Sequence, residues 1–193
     1  MYIVGIDEVG RGSIAGPLVV GAVVLDVDIK GMRDSKLLSH AQREKFSDQI
    51  YESAKYVGLG WVSAAELDRI GLTAALTLAS TRALSELKLS PLTYILDGNF
   101  NYLIKAYKPY QLVVKGDNSV PSISAASIVA KVARDAYMYK LALELPQYGF
   151  ERHVGYATKA HLEALSSHGV TTHHRRSFEP VKSLVSSASD NSV

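Results

Sequence analysis

The sequence contains no cysteine. This absence excludes disulfide frameworks, thiolate zinc sites and cysteine nucleophiles, and it is compatible with a reducing cytoplasm. Long apolar runs are also missing, because the opening stretch 2–6 is too short for a membrane span or a secretory signal and ends at Asp7 and Glu8. We therefore expect a cytoplasmic protein that does not enter a membrane.

The net charge is also small, because lysine plus arginine (21) exceeds aspartate plus glutamate (19) by only 2. This excess is too small for a protein that coats nucleic acid nonspecifically, so any phosphate binding must be local. The length of 193 residues and the hydrophobic content of 47% suit one core. We expect a monomer with a single domain over residues 1–182 and a flexible, serine-rich tail over residues 183–193.

The apolar pattern predicts alternating strands and helices. Two β-branched runs, 2–6 and 18–25, predict a hairpin-like pair of strands joined by a glycine-rich turn. Further strands are predicted at 56–62, 93–96 and 111–114, and helices at 41–54, 122–145 and 158–168. Ser63 and Glu66 have the spacing of a capping box, which predicts that helical segments begin there. The order of elements indicates the α/β class.

Four carboxylates occupy unusual positions in this pattern. Asp7 and Glu8 follow the first predicted strand, and Asp97 falls where a later one should end. Asp135 lies on the apolar stripe of its predicted helix. Such acids would repel one another strongly unless Mg²⁺ or Mn²⁺ neutralised them, and an all-oxygen ligand set favours these hard cations. We therefore predict metal-assisted phosphoryl transfer.

Each carboxylate also has a simpler interpretation when it is considered alone. Asp97 could cap a turn, and Asp135 could pair with Lys131 or Arg134. The first two acids could be merely solvated. A shared metal site is favoured because it explains all four together.

The segment from Gly10 to Ala15 fits the G-x-G-x-x-A fingerprint of dinucleotide-binding folds, which would indicate a nicotinamide-dependent oxidoreductase. That fold requires a helix to begin at the glycines, whereas Gly16-Pro17 and a valine-rich strand follow here. The preceding acids would also place negative charge beside a pyrophosphate. We therefore disfavour this alternative.

Asp7-Glu-Val-Gly-Arg-Gly12 followed by Ala15-Gly-Pro17 closely resembles the N-terminal signature of the type 2 ribonucleases H, bacterial ribonuclease HII in particular. The resemblance continues along nearly the whole chain through Asp34-Ser-Lys36, Leu96-Asp-Gly98, Lys115-Gly-Asp117, Ser122 to Asp135, Gly155-Tyr156 and His174-Arg-Arg-Ser-Phe178. It implies a ribonuclease H-like mixed β-sheet flanked by helices, with a C-terminal helical region.

The resemblance also implies an activity. An enzyme of this kind hydrolyses the RNA strand of RNA/DNA hybrids and cuts 5′ of ribonucleotides embedded in duplex DNA, leaving 3′-hydroxyl and 5′-phosphate ends. The implied mechanism is two-metal-ion catalysis with Mg²⁺ or Mn²⁺, and the implied role is ribonucleotide removal and RNA primer processing. The implied catalytic and metal-binding residues are Asp7, Glu8, Asp97 and Asp135.

Substrate recognition is implied for a second set of residues. The turn Gly10-Arg11-Gly12 is expected to contact the ribonucleotide, and Tyr156 to recognise its 2′-hydroxyl group at an RNA–DNA junction. Among lysines that could contact phosphates, Lys36 is favoured over two others, at positions 115 and 131.

Some positions depart from the family pattern or allow two interpretations. Ser13 stands where the family usually has proline, and we expect this change to loosen the recognition loop. Leu37 stands where a second lysine is common. The basic cluster 173–176 either touches the DNA strand or caps the structure. An inactive hybrid-binding protein would keep Arg11 and Tyr156 without needing the acids, and the intact set of four acids argues against it.

Overall fold

The structure is a computed structural model that describes residues 1–27, 29–32, 38–90 and 92–190. The proposed phosphate ligand Lys36 lies outside these residues. Within them the chain forms β1 (Tyr2–Val9), β2 (Leu18–Val24), α1 (His40–Ser53), β3 (Tyr56–Val62), α2 (Ala64–Ile70), α3 (Leu72–Leu84), β4 (Leu92–Asp97), β5 (Tyr110–Val113), α4 (Pro121–Glu144), α5 (Phe150–His153), α6 (Lys159–His168) and α7 (Val181–Asp190).

The strands form one mixed sheet in the order β3-β2-β1-β4-β5. The first three strands of the chain pair antiparallel, which confirms the predicted pair formed by β1 and β2. β4 pairs parallel with β1, and β5 pairs parallel with β4. The predicted mixed sheet of the α/β class is therefore confirmed.

Helices cover both faces of the sheet. Alanines of α3 pack with β1 and β2 in one apolar cluster, whereas α1 and α4 pack against the opposite face. Gly5 and Gly21 allow α4 to approach closely, because a Cβ on Gly5 would lie 2.1 Å from the Ser122 carbonyl carbon and one on Gly21 2.4 Å from the Ala126 oxygen. This contact brings α4 to the strands that carry the first acids.

The helix starts follow local sequence signals. Ser63 and Glu66 form the predicted capping box at the start of α2. Ser39 and Gln42 form a second capping box at α1. Pro121 occupies the first turn of α4, where its missing N–H group costs nothing. None of the helices in the ranges described is long and apolar enough to cross a membrane.

Two elements extend beyond the sequence prediction. β1 continues to Val9 because residues 7–9 pair with β2, so the first two acids lie within the strand rather than after it. α7 occupies most of the segment that we expected to be a tail. Val181 is buried, and Leu184 and Val185 pack on the same apolar cluster at helical spacing. Because this segment is rich in serine, its short apolar stripe was not recognised in the sequence and no helix was predicted there.

Candidate active site

Asp7 and Asp97 lie side by side at one edge of the sheet. In the parallel pairing of β1 and β4, Ile6 is opposite Leu96, and the two aspartates follow in the same register. Neighbouring strands lie about 4.8 Å apart, so the two carboxylates are close to one another. Glu8 is the next residue of β1. The sheet topology therefore brings three acids from two distant parts of the chain together.

One cavity of about 440 Å³ is lined by four of the nine predicted site residues, including three of the four carboxylates. Its lining residues are Asp7, Glu8, Val9, Asp97, Ser127, Lys131 and Tyr156. Adjacent residues of a strand normally point to opposite faces, yet both acids of β1 reach this cavity. The cavity is therefore acidic on its strand side and is bordered by α4 and by the tyrosine proposed to contact the ribose.

The carboxylates are held in an environment that opposes their ionisation. Burial, together with the charges of Glu8 and Asp97, raises the pKa of Asp7 to about 7, even though a hydrogen bond from Ser127 lowers it. Burial also raises the pKa of Glu8, while hydrogen bonds from Tyr102 and Arg11 lower it. The site therefore contains more buried negative charge than its neighbours compensate.

Tyr102 is a site residue that sequence reasoning missed. Its hydroxyl group donates to Glu8 Oε2 at 3.1 Å. Burial raises the pKa of this phenol well above its ordinary value, and the charges of Glu8, Asp7 and Asp97 add to the effect. Tyr102 therefore remains a hydrogen-bond donor to the carboxylate. The only available signal was an aromatic residue in the loop that follows Asp97.

Asp97 is oriented by the loop after β5. The Gly116 N–H group donates to Asp97 Oδ1 at 2.7 Å. Gly116 belongs to the Lys115-Gly-Asp117 motif, and Lys115 adopts a left-handed backbone conformation with φ 57°. The motif therefore positions a carboxylate through its backbone, whereas only a phosphate contact for its lysine was predicted from the sequence.

Asp135 is placed differently from the other three acids. Ser127, Lys131 and Asp135 follow one another at intervals of four residues and share one face of α4. Lys131 Nζ lies 2.8 Å from Asp135 Oδ1, and the aspartate is buried. The simpler interpretation of Asp135, pairing with Lys131, is thus present in the structure. Lys131 lines the acidic cavity, whereas Asp135 is not among the residues that line it.

In the positions that they occupy here, the carboxylates do not form a complete cation site. Across the described ranges, no three acidic, cysteine or histidine side chains are grouped closely enough to hold a metal ion. The donor chemistry nevertheless suits a hard divalent cation, because Asp7, Glu8 and Asp97 offer only oxygen ligands to one cavity. Their mutual repulsion, seen in the raised pKa of Asp7, is the imbalance that such a cation neutralises.

The loop that contains the turn 10–12, here called the recognition loop, has two glycines with different surroundings. Gly10 has φ +82°, and a Cβ there would lie 2.2 Å from Arg134 Nε. A Cβ added to Gly12 would meet no atom of the described residues within 4 Å, so this glycine faces open space. Gly10 is therefore required for packing within the protein. Gly12 leaves room for an external group.

Arg134, which lies on α4, holds this loop through hydrogen bonds. Its guanidinium group is fully buried and donates to the carbonyl oxygens of Pro17 (2.9 Å), Val154 (3.0 Å) and Ala15 (3.2 Å) and to Ser13 Oγ (2.8 Å). It does not pair with Asp135, which was one of the possibilities left open. One arginine on α4 thus ties the recognition loop to the turn that carries the tyrosine.

Ser13 contributes to the same network. Its hydroxyl group is buried, donates to the Gly10 carbonyl oxygen at 2.9 Å and accepts from Arg134 Nη2 at 2.8 Å. Proline has no hydroxyl group and cannot make either bond. The departure from the usual family residue therefore brings two interactions that hold the loop, which offsets the loosening that we expected.

The basic cluster 173–176 is mainly structural. Arg175 is buried and donates to the carbonyl oxygens of Gly16 (3.1 Å) and Arg11 (3.0 Å). Burial and the neighbouring charge of Arg134 together lower the pKa of Arg175 to about 9. His174 is also buried. Of the two alternatives for this cluster, the structure thus favours support of the fold over contact with DNA at these two residues.

Tyr156 and Arg11 flank the cavity and remain partly accessible. Tyr156 is 38% exposed, and the Arg11 side chain is 54% exposed with its Nη1 atom 3.2 Å from Glu8 Oε1. Gly155, with φ +86°, accepts hydrogen bonds from the N–H groups of Ile14 (2.9 Å) and Ala15 (3.1 Å). The tyrosine turn and the glycine loop are therefore joined through their backbones.

No helix begins at the glycine turn. Residues 10–17, all of them described, lead directly into β2, which agrees with the argument against the dinucleotide-binding alternative. The structure brings Asp7, Glu8, Asp97 and Tyr156 to one cavity with the 10–12 loop beside it. Asp135 reaches that cavity only through Lys131.

The sequence matches the family model described as ribonuclease HII over residues 4–181. It is 46% identical over 186 residues to a ribonuclease HII from Bacillus cereus, an alignment that covers 95% of this chain and 71% of the relative. In structure it is similar to the ribonuclease H2 of Pyrococcus horikoshii, with a TM-score of 0.80, 26% identity and coverage of 97% and 98% of the two chains.

A second solved structure with this fold is the ribonuclease HII of Archaeoglobus fulgidus in complex with PCNA. The TM-score is 0.77 at 25% identity, and the match covers 93% of this chain and 96% of that one. The likeness therefore extends over nearly the whole chain.

Proposed function

Because the chain belongs to the ribonuclease HII family and is a ribonuclease H hydrolase, we propose that it cuts the RNA strand of RNA/DNA hybrids and single ribonucleotides embedded in duplex DNA. The proposed cut lies 5′ of the ribonucleotide and leaves 3′-hydroxyl and 5′-phosphate ends. The proposed role is ribonucleotide removal and RNA primer processing. The observation that carries the proposal is the acidic cavity with Tyr156 and the 10–12 loop at its border.

Enzymes of this family depend on divalent metal ions, and we propose Mg²⁺ or Mn²⁺ bound by Asp7, Glu8, Asp97 and Asp135. Binding by Asp135 requires its ion pair with Lys131 to open. A pair of such ions, when bound, supplies an activated water molecule and stabilises the negative charge of the leaving 3′-oxygen. The protein's own contribution is to hold the carboxylates ready for this arrangement.

Each strand carboxylate has a donor that orients it. Asp7 Oδ1 accepts from the Glu8 N–H group at 2.8 Å, Glu8 from Tyr102, and Asp97 from the Gly116 N–H group. Neutral donors such as these restrain a carboxylate without removing its charge, so it stays available to a cation. Tyr102 and Gly116 are buried, which limits competition by water for two of these three bonds.

The recognition loop and the tyrosine supply selectivity for RNA in this proposal. Gly12 leaves the loop surface open, so backbone groups can approach a sugar closely. The Tyr156 ring borders the cavity, where its hydroxyl group can bond to a ribose 2′-hydroxyl group. The Arg11 side chain is 54% exposed although its partner Glu8 is largely buried, so its guanidinium group is accessible to a phosphate.

A cleavage assay tests this proposal. Wild type, Asp97→Asn and the control Asp48→Asn, which changes an exposed acid on α1, are incubated with duplex DNA containing one ribonucleotide, with and without Mg²⁺ or Mn²⁺. We expect metal-dependent cutting by wild type and control, and a loss of about 100-fold or more in Asp97→Asn.

Equal cutting by wild type and Asp97→Asn, or cutting without metal, would contradict the proposed site. Tight binding of the duplex by wild type without any cutting would instead support the inactive hybrid-binding alternative.

A further inference from the structure

Three histidines that the proposed mechanism does not use are buried beneath the Tyr156 turn. They are His153, His161 and His174. His161 Nδ1 lies 2.9 Å from the Tyr156 carbonyl oxygen, and His161 Nε2 lies 3.1 Å from His174 Nε2. His161 and His174 therefore form a hydrogen-bonded chain that ends on the backbone of the residue proposed to read the ribose.

The protonation pattern of this chain follows from one fixed donor. The Thr171 N–H group can only donate, and it lies 3.1 Å from His174 Nδ1, so this nitrogen must accept. A neutral His174 ring then carries its hydrogen on Nε2 and donates to His161 Nε2. His161 must in turn carry its hydrogen on Nδ1, from which it donates to the Tyr156 carbonyl oxygen. Every link thus has one donor and one acceptor.

Both rings are neutral at physiological pH. Burial lowers the pKa of His161 to about 4 and that of His174 to about 4. A proton on either ring would also place two donors face to face, at Thr171 or between the rings. His153 stacks on His161 with ring centroids 4.4 Å apart and accepts from the Gly155 N–H group, which holds the same turn from a second side.

The other end of this hydrogen-bonded chain is attached to residues 14–16, the part of the loop that continues from the 10–12 turn toward β2. His174 forms an antiparallel bridge with Ala15, the Arg175 N–H group donates to Ile14 at 2.8 Å, and the Gly16 N–H group donates to the His173 carbonyl oxygen at 2.9 Å. The backbone at His174 is therefore bound to the loop, while its side chain reaches the tyrosine turn through His161.

We propose that His161 and His174 are positioning residues that set the Tyr156 turn relative to the 10–12 loop and thereby determine selectivity for a ribonucleotide at a junction. The inference rests on the proposed function. Neither histidine contacts the substrate, because their chain ends on a backbone carbonyl group. Their effect is exerted through Tyr156, whose ring direction follows from its backbone.

Two substitutions distinguish the roles of the two ring nitrogens of His161. His161→Asn keeps a donor at the position of Nδ1, whereas His161→Gln keeps a polar atom only near the position of Nε2. For duplex DNA with one ribonucleotide, we expect His161→Gln to lower kcat/KM about tenfold, the factor that corresponds to ~1.4 kcal/mol. We expect His161→Asn and the exposed control His168→Gln on the same helix to stay close to wild type.

A double-mutant cycle tests whether the effect passes through the tyrosine. In a Tyr156→Ala background, His161→Gln should cause no further loss, since the group that it positions is absent. An equal loss in both backgrounds, or equal defects in His161→Asn and His161→Gln, would overturn the proposal. Thermal unfolding of each variant accompanies the kinetics, so a general loss of fold is detected separately.

A spectroscopic measurement tests the same inference without activity. In ¹⁵N-labelled protein, the ring nitrogen signals should show hydrogen on Nδ1 of His161 and on Nε2 of His174. Amide signals of Gly10, Gly12 and Tyr156 should shift in His161→Gln and remain near their wild-type positions in His161→Asn. The opposite tautomers, or unchanged amide signals in His161→Gln, overturn the inference. Correct tautomers and shifts in a protein that cuts nothing contradict the proposed function instead.

Discussion

Replacing Asp7 with asparagine should stabilise the metal-free protein at neutral and alkaline pH. Asp7 is 7% exposed and lies beside two other carboxylates, Glu8 and Asp97. Burial and these charges raise its pKa to about 7 from the ordinary 3.8. The ionised form is therefore a source of destabilisation, which a neutral amide of similar shape removes.

The direction of the pH dependence follows from proton uptake. Between pH 3.8 and about 7 the folded protein holds a proton on Asp7 that the unfolded chain has lost. The free energy of unfolding therefore falls as pH rises through this window, and the loss is complete above it. The two pKa values differ by about three pH units, which at about 1.36 kcal/mol each corresponds to about 4 kcal/mol. Total stabilities are about 5–15 kcal/mol, so this loss is large.

Urea unfolding in the presence of a chelator, at pH 5 and at pH 8, measures the effect. Between these two pH values, wild type should lose about 2–3 kcal/mol more of its free energy of unfolding than Asp7→Asn, since part of the total loss already occurs below pH 5. Glu163→Gln, which removes an exposed carboxylate on α6, should behave as wild type. Adding Mg²⁺ at pH 8 should restore stability to wild type far more than to Asp7→Asn. The same pH dependence in both proteins would refute the electrostatic argument.

Three further predictions concern the recognition loop. Gly12→Ala should change the free energy of unfolding by less than about 0.5 kcal/mol, because the added methyl group meets no atom of the described residues within 4 Å. The same substitution should lower kcat/KM, because the methyl group fills the open surface. Gly10→Ala should instead destabilise by about 2 kcal/mol or more, through its clash with Arg134 and its left-handed backbone, and equal melting temperatures for the two variants would contradict this contrast. Ser13→Ala should cost about 1–2 kcal/mol in urea unfolding, because it removes both hydrogen bonds of the hydroxyl group, and an unchanged midpoint would count against that role.

The strand acids could be predicted from the sequence because their signal is local. Asp7 and Asp97 each end an apolar run, and parallel neighbours bring such ends to one edge. Tyr102 could not be predicted in this way, since its contact with Glu8 depends on the path of the loop after β4. The contact between His161 and His174 could not be predicted for the same reason, because a turn whose course no periodicity reveals brings them together.

Arg134 illustrates a different limit. Its position next to Asp135 suggested an ion pair, but consecutive residues of a helix point about 100° apart. The guanidinium group instead reaches the carbonyl oxygens of Pro17 and Val154 on the opposite side. Sequence proximity on a helix therefore predicts a partner poorly, whereas the spacing of four between Lys131 and Asp135 predicted one correctly.

That pair also bears on how the proposed cation site would be completed. Lys131 occupies the border of the cavity with its ammonium group 2.8 Å from Asp135, and so supplies positive charge where the carboxylates converge. A lysine on a flexible stem can leave such a position, whereas the buried backbone donors of Asp7 and Asp97 cannot. Exchange of Lys131 for a divalent cation would replace one positive charge with two at the same place. In the proposed site, the three strand carboxylates are held by their own donors, and Asp135 is the carboxylate whose ion pair with Lys131 would have to open before it could bind a cation.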